Sequence, residues 1–147
     1  MSNASKYDTD FHAWANEQAD LLRAGRLAEA DAANIAEELA SMGRSERREL
    51  VSRLAVLLLH LLKWAFQPER RGKSWRLTIE EQRRQILRHL NENPSLRAGV
   101  EEAMADAYAD AVLRAERETD LPRDYFPWAC PYSFAEATAD TFWPDAP

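Results

Sequence analysis

Three histidines, nineteen basic and twenty-five acidic side chains supply the groups in this 147-residue chain that could do chemistry. Their spacing narrows the options quickly. On a helix, at about 100° per residue, Arg53, Val56, His60, Lys63 and Gln67 fall on one stripe. That stripe faces away from Leu54, Leu58, Leu61 and Ala65. If the basic connection Pro68 to Ser74 closes an antiparallel hairpin, Gln67 lies level with Trp75, and His60 roughly level with Gln82 and Arg83. His60, Lys63, Trp64, Gln67, Trp75, Gln82 and Arg83 therefore form the candidate ligand-binding set. Lys63 and Arg83 would clamp a carboxylate or phosphate, His60 would be an acid or base, and Trp64 and Trp75 would be walls. The structural alternative has His60 bonded to a backbone carbonyl or to Gln82, Lys63 snorkelling to solvent, and acidic helices neutralising Arg83.

Other constellations fail on spacing. Residues three before His12, His60 and His89 are Thr9, Leu57 and Ile86, so the Glu-x-x-His pairs of a di-iron bundle are missing. With only four glycines there is no phosphate loop, and no G-x-S-x-G occurs. The single cysteine, Cys130, has Trp128 and Pro131 as neighbours and reads as an inert packing thiol. No catalytic residue, metal ligand set or cofactor is expected. The row Glu102, Asp106 and Asp110 reads as a solvated or salt-bridged helix face.

The elements that must position these residues are helices. Asp8 or Asp10 caps a first helix bearing Phe11, Trp14 and Leu21, which Gly25 stops. A second is expected over Leu27 to Met42, with Asp31 as an internal cap, Ile35, Ala36, Leu39 and Met42 on one face, and Gly43 as its stop. A third, about 46 to 67, is apolar nearly all round and must be buried until Pro68 ends it. The fourth begins at Ser74 or Thr78, with Ile79, Ile86 and Leu90 inward. Ser95 caps a fifth that runs to about Glu118, and its alanines permit close packing.

Five of seven prolines and seven of fourteen aromatics lie in the last 27 residues. Disorder goes with few aromatics, so this reads as a strap across the helices, with Ser133 to Glu136 opening a short helix. The fold class expected is all-α: a single domain over 7–143, with a bundle of about five helices at 8–119, a strap at 121–143 and a flexible 1–6.

Charge is segregated. Residues 1–43 carry three basic and eight acidic side chains, 44–97 thirteen and six, and 98–147 three and eleven. Acidic helices folded on a basic hairpin explain this better than a nucleic-acid surface does, because a polyanion-binding protein would not keep so many carboxylates nearby. The start "MSNASKYDTDF" lacks the pattern of a secretory signal, and Leu54 to Leu62 falls short of the ~20 residues that span a bilayer, so a cytoplasmic protein without a membrane partner is expected.

The succession "YDTDFHAW", "LLLHLLKW", "SWRLTIEEQRRQI", "NPSL" and "CPYSF" resembles the bacterial family catalogued as domain of unknown function twenty-nine, from Tyr7 to Phe142. The resemblance implies an all-helical protein and points to positions His60, Lys63, Trp64, Trp75, Gln82 and Arg83, but carries no activity. The leading expectation is a non-catalytic binding or protein-interaction module, its partner an unknown protein or a small anion. The alternative is a helical ribonuclease of the HEPN type, which would use Arg84 with His89, or Arg53 with His60.

Overall fold

The computed structural model describes residues 3–146, and those residues contain six α-helices and no strand. They divide into two units, Met1–Ser45 and Glu46–Pro147.

The first unit is built by caps. Helix α1 (Asn3–Thr9), where the sequence reading places flexible residues, is followed by α2 (Phe11–Arg23). Asp10 caps α2 by accepting from the amide of Ala13. Gly25, with φ of 74°, ends it in a left-handed turn that a side chain would strain. Asp31 accepts from the Asn34 amide and from Trp14 Nε1, so one carboxylate both opens the next helix and fixes the buried indole. Gln18 Oε1 accepts from the Asp31 amide at 2.7 Å. Tyr7 stands edge-on to Trp14 and donates its hydroxyl to Glu38.

Helix α3 (Ala32–Phe66) replaces the two helices expected around Gly43. A glycine inside a helix costs only about 1 kcal/mol relative to alanine. It stops a helix when the backbone turns left-handed, and Gly43 keeps a negative φ. Strong helix formers flank it, and the leucines from Leu50 onward anchor the helix by burial. Leu39 and Met42, expected to face inward, are 63% exposed.

In the second unit Leu54, Leu57, Leu58, Leu61 and Leu62 of α3 are fully buried against Ile79, Ile86 and Leu90 of α4 (Lys73–Glu92). Ala103, Ala107, Ala111 and Ala115 line the buried face of α5 (Val100–Glu118). Small side chains there let helix axes approach closely. The fifth helix starts later than Ser95 because Pro94–Gly99 winds as a 3₁₀ segment first. After α5 the chain is mostly extended, with Phe126 buried in the core and a capping box of Ser133 and Glu136 opening α6 (Phe134–Thr138). Tyr132, Phe134 and Trp143 are half-buried against the same core, whereas Tyr125 and Trp128 are exposed.

Candidate functional site

The α3–α4 hairpin is present, but its register differs from the sequence expectation. Lys63, not Gln67, stands over Trp75, with Nζ 5.7 Å from the ring centre. Arg53, not His60, reaches Gln82, at 3.4 Å. The first difference is about one helical turn and the second about two. The cause is the connection: Pro68–Arg70 forms a tight 3₁₀ turn, and α4 begins already at Lys73.

The expected set therefore separates into three environments. Lys63 is largely buried and its Nζ lies 2.7 Å from Glu118 of α5, so a carboxylate and the Trp75 ring already serve this cation. His60 sets Nδ1 2.8 Å from the carbonyl oxygen of Val56, one turn back. Burial pushes its imidazole below the ordinary histidine range, only partly opposed by that hydrogen bond. Gln67 is buried at the end of the helix.

Arg83, meant as half of an anion clamp, is instead 1% exposed and ties down the C-terminal segment. Its Nε donates to the Ala137 carbonyl at 2.8 Å and its Nη2 to the Phe142 carbonyl at 2.6 Å. The guanidinium lies 5.1 Å from the Trp143 ring centre, and Trp143 in turn packs at 4.7 Å on Trp64. Arg71 covers the Trp64 ring and donates to the Trp64 carbonyl. The two tryptophans expected as walls of one groove thus face different neighbours. Fixed backbone acceptors satisfy a planar fork of donors as well as an anion does.

Part of the segregated charge pairs between α3 and α5. Besides Lys63 with Glu118, Arg47 of α3 lies 2.9 Å from Asp106 of α5. We expect a double-mutant cycle of Lys63→Met and Glu118→Gln, read by urea unfolding, to give a coupling of about 1 kcal/mol. A coupling near zero would leave the Lys63 charge available to a ligand.

The ribonuclease pairing fares differently. His89 is 4% exposed, beneath Glu46 and Glu49 of α3. Nε2 lies 2.8 Å from the Glu46 carbonyl oxygen and Nδ1 lies 2.6 Å from Glu49 Oε2. Both ring nitrogens are engaged, and Arg84 lines a separate cleft with Glu80, Arg88 and Asp140. Ligand atoms of Glu46, Glu49 and His89 lie within 4.8 Å of one another, the one trio among the described residues that could hold a metal ion. The sequence hides it, because the carboxylates and the imidazole stand on different helices some forty residues apart. The three-residue spacing of Glu46 and Glu49 was the only local signal.

A further feature missed in the sequence is a concavity of about 860 Å³ between α5 and the segment after it. Val100, Met104, Tyr108, Val112 and Leu113 form one wall; Trp128, Cys130, Tyr132 and Phe134 form the other. Leu113 is 59% and Trp128 74% exposed. Burial raises the Cys130 thiol above its usual range and pushes the Tyr108 hydroxyl up to about 12, so these two groups are neutral, and the charged lining residues are Glu101 and Arg123. Its signal was the exposed row Glu101, Ala105, Ala109 and Leu113, one residue per turn.

The family described as Domain of unknown function DUF29 matches residues 6–143. The chain belongs to this family. Comparison with curated proteins and with solved structures returned no match. The family description carries no activity, so functional residues in this DUF29 chain have to be argued from geometry. No helix among the described residues is long and apolar enough to cross a membrane.

Proposed function

We propose that the chain is a protein-interaction module whose docking surface is the groove between α5 and the C-terminal segment, and that its occupant is a basic amphipathic helix of a partner protein. The observation that carries this is an apolar trough in an acidic segment; its one lining cation, Arg123, lies 4.0 Å from the Trp128 ring centre and donates to the Phe126 carbonyl. Leu113 and Trp128 both present apolar surface to water on this one concavity, as a docking surface would. Ala105 and Ala109 leave the exposed row low, which lets a helix backbone come close. Glu101 lines the groove, and residues 98–147 hold eleven acidic against three basic side chains. Lysines and arginines flanking an apolar stripe complement the net acidic charge of this segment and steer the encounter.

Neither the cations of the hairpin nor His60 favour a small anion over this reading, because Lys63 and Arg83 have carboxylate or carbonyl partners. Fluorescence anisotropy of two labelled helical peptides, with the same apolar stripe and either lysine or glutamate flanks, tests the proposal. The lysine peptide should bind, and weaken with added salt. Leu113→Glu and Ala109→Arg should each reduce its affinity by at least about tenfold, whereas Leu87→Glu, on the exposed side of α4, should not. Equal binding of both peptides, or indifference to Leu113→Glu and Ala109→Arg, would overturn it. So would a concentration-dependent dimer that Trp128→Ala dissolves, since the occupant would then be a second copy.

A further inference from the structure

The cluster of Glu46, Glu49 and His89 asks for a cation. The carbonyl oxygen of Glu46 has no hydrogen to give, so the Nε2 atom 2.8 Å from it carries one. In the neutral ring that leaves Nδ1 with its lone pair directed at Glu49 Oε2, 2.6 Å away. Two acceptors at that separation need a proton or a metal ion between them. Coordinating histidines commonly donate their other N–H to a backbone carbonyl, which fixes both tautomer and ring plane. His89 has that anchor already, and it is buried in the core face of α4.

We propose that Nδ1 of His89, with the carboxylates of Glu49 and Glu46, forms a divalent-cation site on the α3–α4 hairpin. One imidazole and two carboxylates favour a borderline ion, zinc before manganese, over magnesium. One ligand atom of each residue lies within 4.8 Å of the others; Glu49 Oε2 is 2.6 Å from Nδ1 and Glu46 Oε2 3.5 Å from Nε2, so the half-exposed Glu46 turns across the ring edge to join Glu49 at an ion on Nδ1. The cleft beside His89, about 150 Å³ and lined also by Gln85 and Glu92, has room for waters to complete the coordination. Arg53 lies 3.9 Å from Glu49, and Arg88, also in the cleft, pairs with Glu92. Arg53 also reaches Gln82, which keeps its guanidinium placed when Glu49 turns to an ion. The site ties α3 to α4 beside this cleft.

Isothermal titration of the full chain with zinc chloride tests it. One zinc per chain should bind and raise the thermal midpoint, because an ion that binds only the folded state stabilises it by mass action. Glu49→Gln and Glu46→Gln, both at half-exposed positions that should not disturb the fold, should each weaken zinc by at least about tenfold. Cys130→Ser and His12→Ala, which remove other zinc-binding side chains, should leave it unchanged. Nitrogen-15 spectra should show zinc on Nδ1 of His89 with Nε2–H retained. Zinc affinity that survives both glutamine variants, that is lost in Cys130→Ser, or that appears on Nε2 would overturn the site.

Discussion

A chain truncated at Leu121 is expected to be insoluble, or to unfold without a cooperative transition. Phe126, 2% exposed, and Ala137, fully buried, leave the core with the segment, and the half-buried Tyr132, Phe134 and Trp143 go with them. A large apolar side chain contributes roughly 1.5–3 kcal/mol when fully buried. Phe126 and the partly buried rings together approach the ~5–15 kcal/mol by which a domain is stable at all. The truncation also takes both carbonyls from Arg83 and leaves a guanidinium in the core without acceptors. The check is expression followed by thermal unfolding, with Phe126→Ala and Trp128→Ala in the full chain as graded comparisons. Phe126→Ala should cost about 3–5 kcal/mol. Trp128→Ala, at a site 74% exposed, should change stability by less than about 0.5 kcal/mol. A truncated chain with the midpoint of the intact one would show the segment to be an arm held away from the core.

That contrast between Phe126 and Trp128 is also where reading the sequence stops being sufficient. Local features were legible: Asp10, Asp31, Gly25, Pro68 and the Ser133–Glu136 capping box act within a few residues of themselves. The alternation of apolar positions likewise identified the buried leucines of α3. Gly43 misled because composition cannot say whether a glycine will use its freedom. The hairpin register was missed by a turn or more because it depends on how the connection winds, here a 3₁₀ turn at Pro68–Arg70, with Lys63 over Trp75 and Arg53 at Gln82. Both tail aromatics look alike in sequence; one enters the core and the other borders an open groove. The trio at His89 could not be seen because a tertiary contact makes it.

Arg83 shows how far residue type alone can mislead, and its replacement should have the second large effect. A basic residue expected level with His60 across the hairpin reads as a ligand clamp, yet this one closes the fold by holding the backbone of residues more than fifty positions later. We expect Arg83→Met to cost about 3–5 kcal/mol. It strands the buried Ala137 carbonyl, worth roughly 1–3 kcal/mol unpaired, and the part-buried Phe142 carbonyl, and it gives up the contact with the Trp143 ring. Methionine replaces only part of that by filling the volume. Arg83→Lys should be nearly as damaging, since an ammonium cannot reach two divergent acceptors with the planar fork that Nε and Nη2 provide. Nη1, already buried without a protein acceptor, shows that the site spends a donor to obtain this geometry. Hydrogen exchange separates the local from the general consequence. The amides of α6 should lose protection first and most, while those around Leu58 and Leu61 in α3 should keep theirs until global unfolding. Trp143→Ala should destabilise less, and its combination with Arg83→Met should cost less than the two separately, because each loosens the same segment. An Arg83→Lys protein as stable as the parent would mean that charge alone suffices at this position, and would return Arg83 to the anion clamp that the sequence implied.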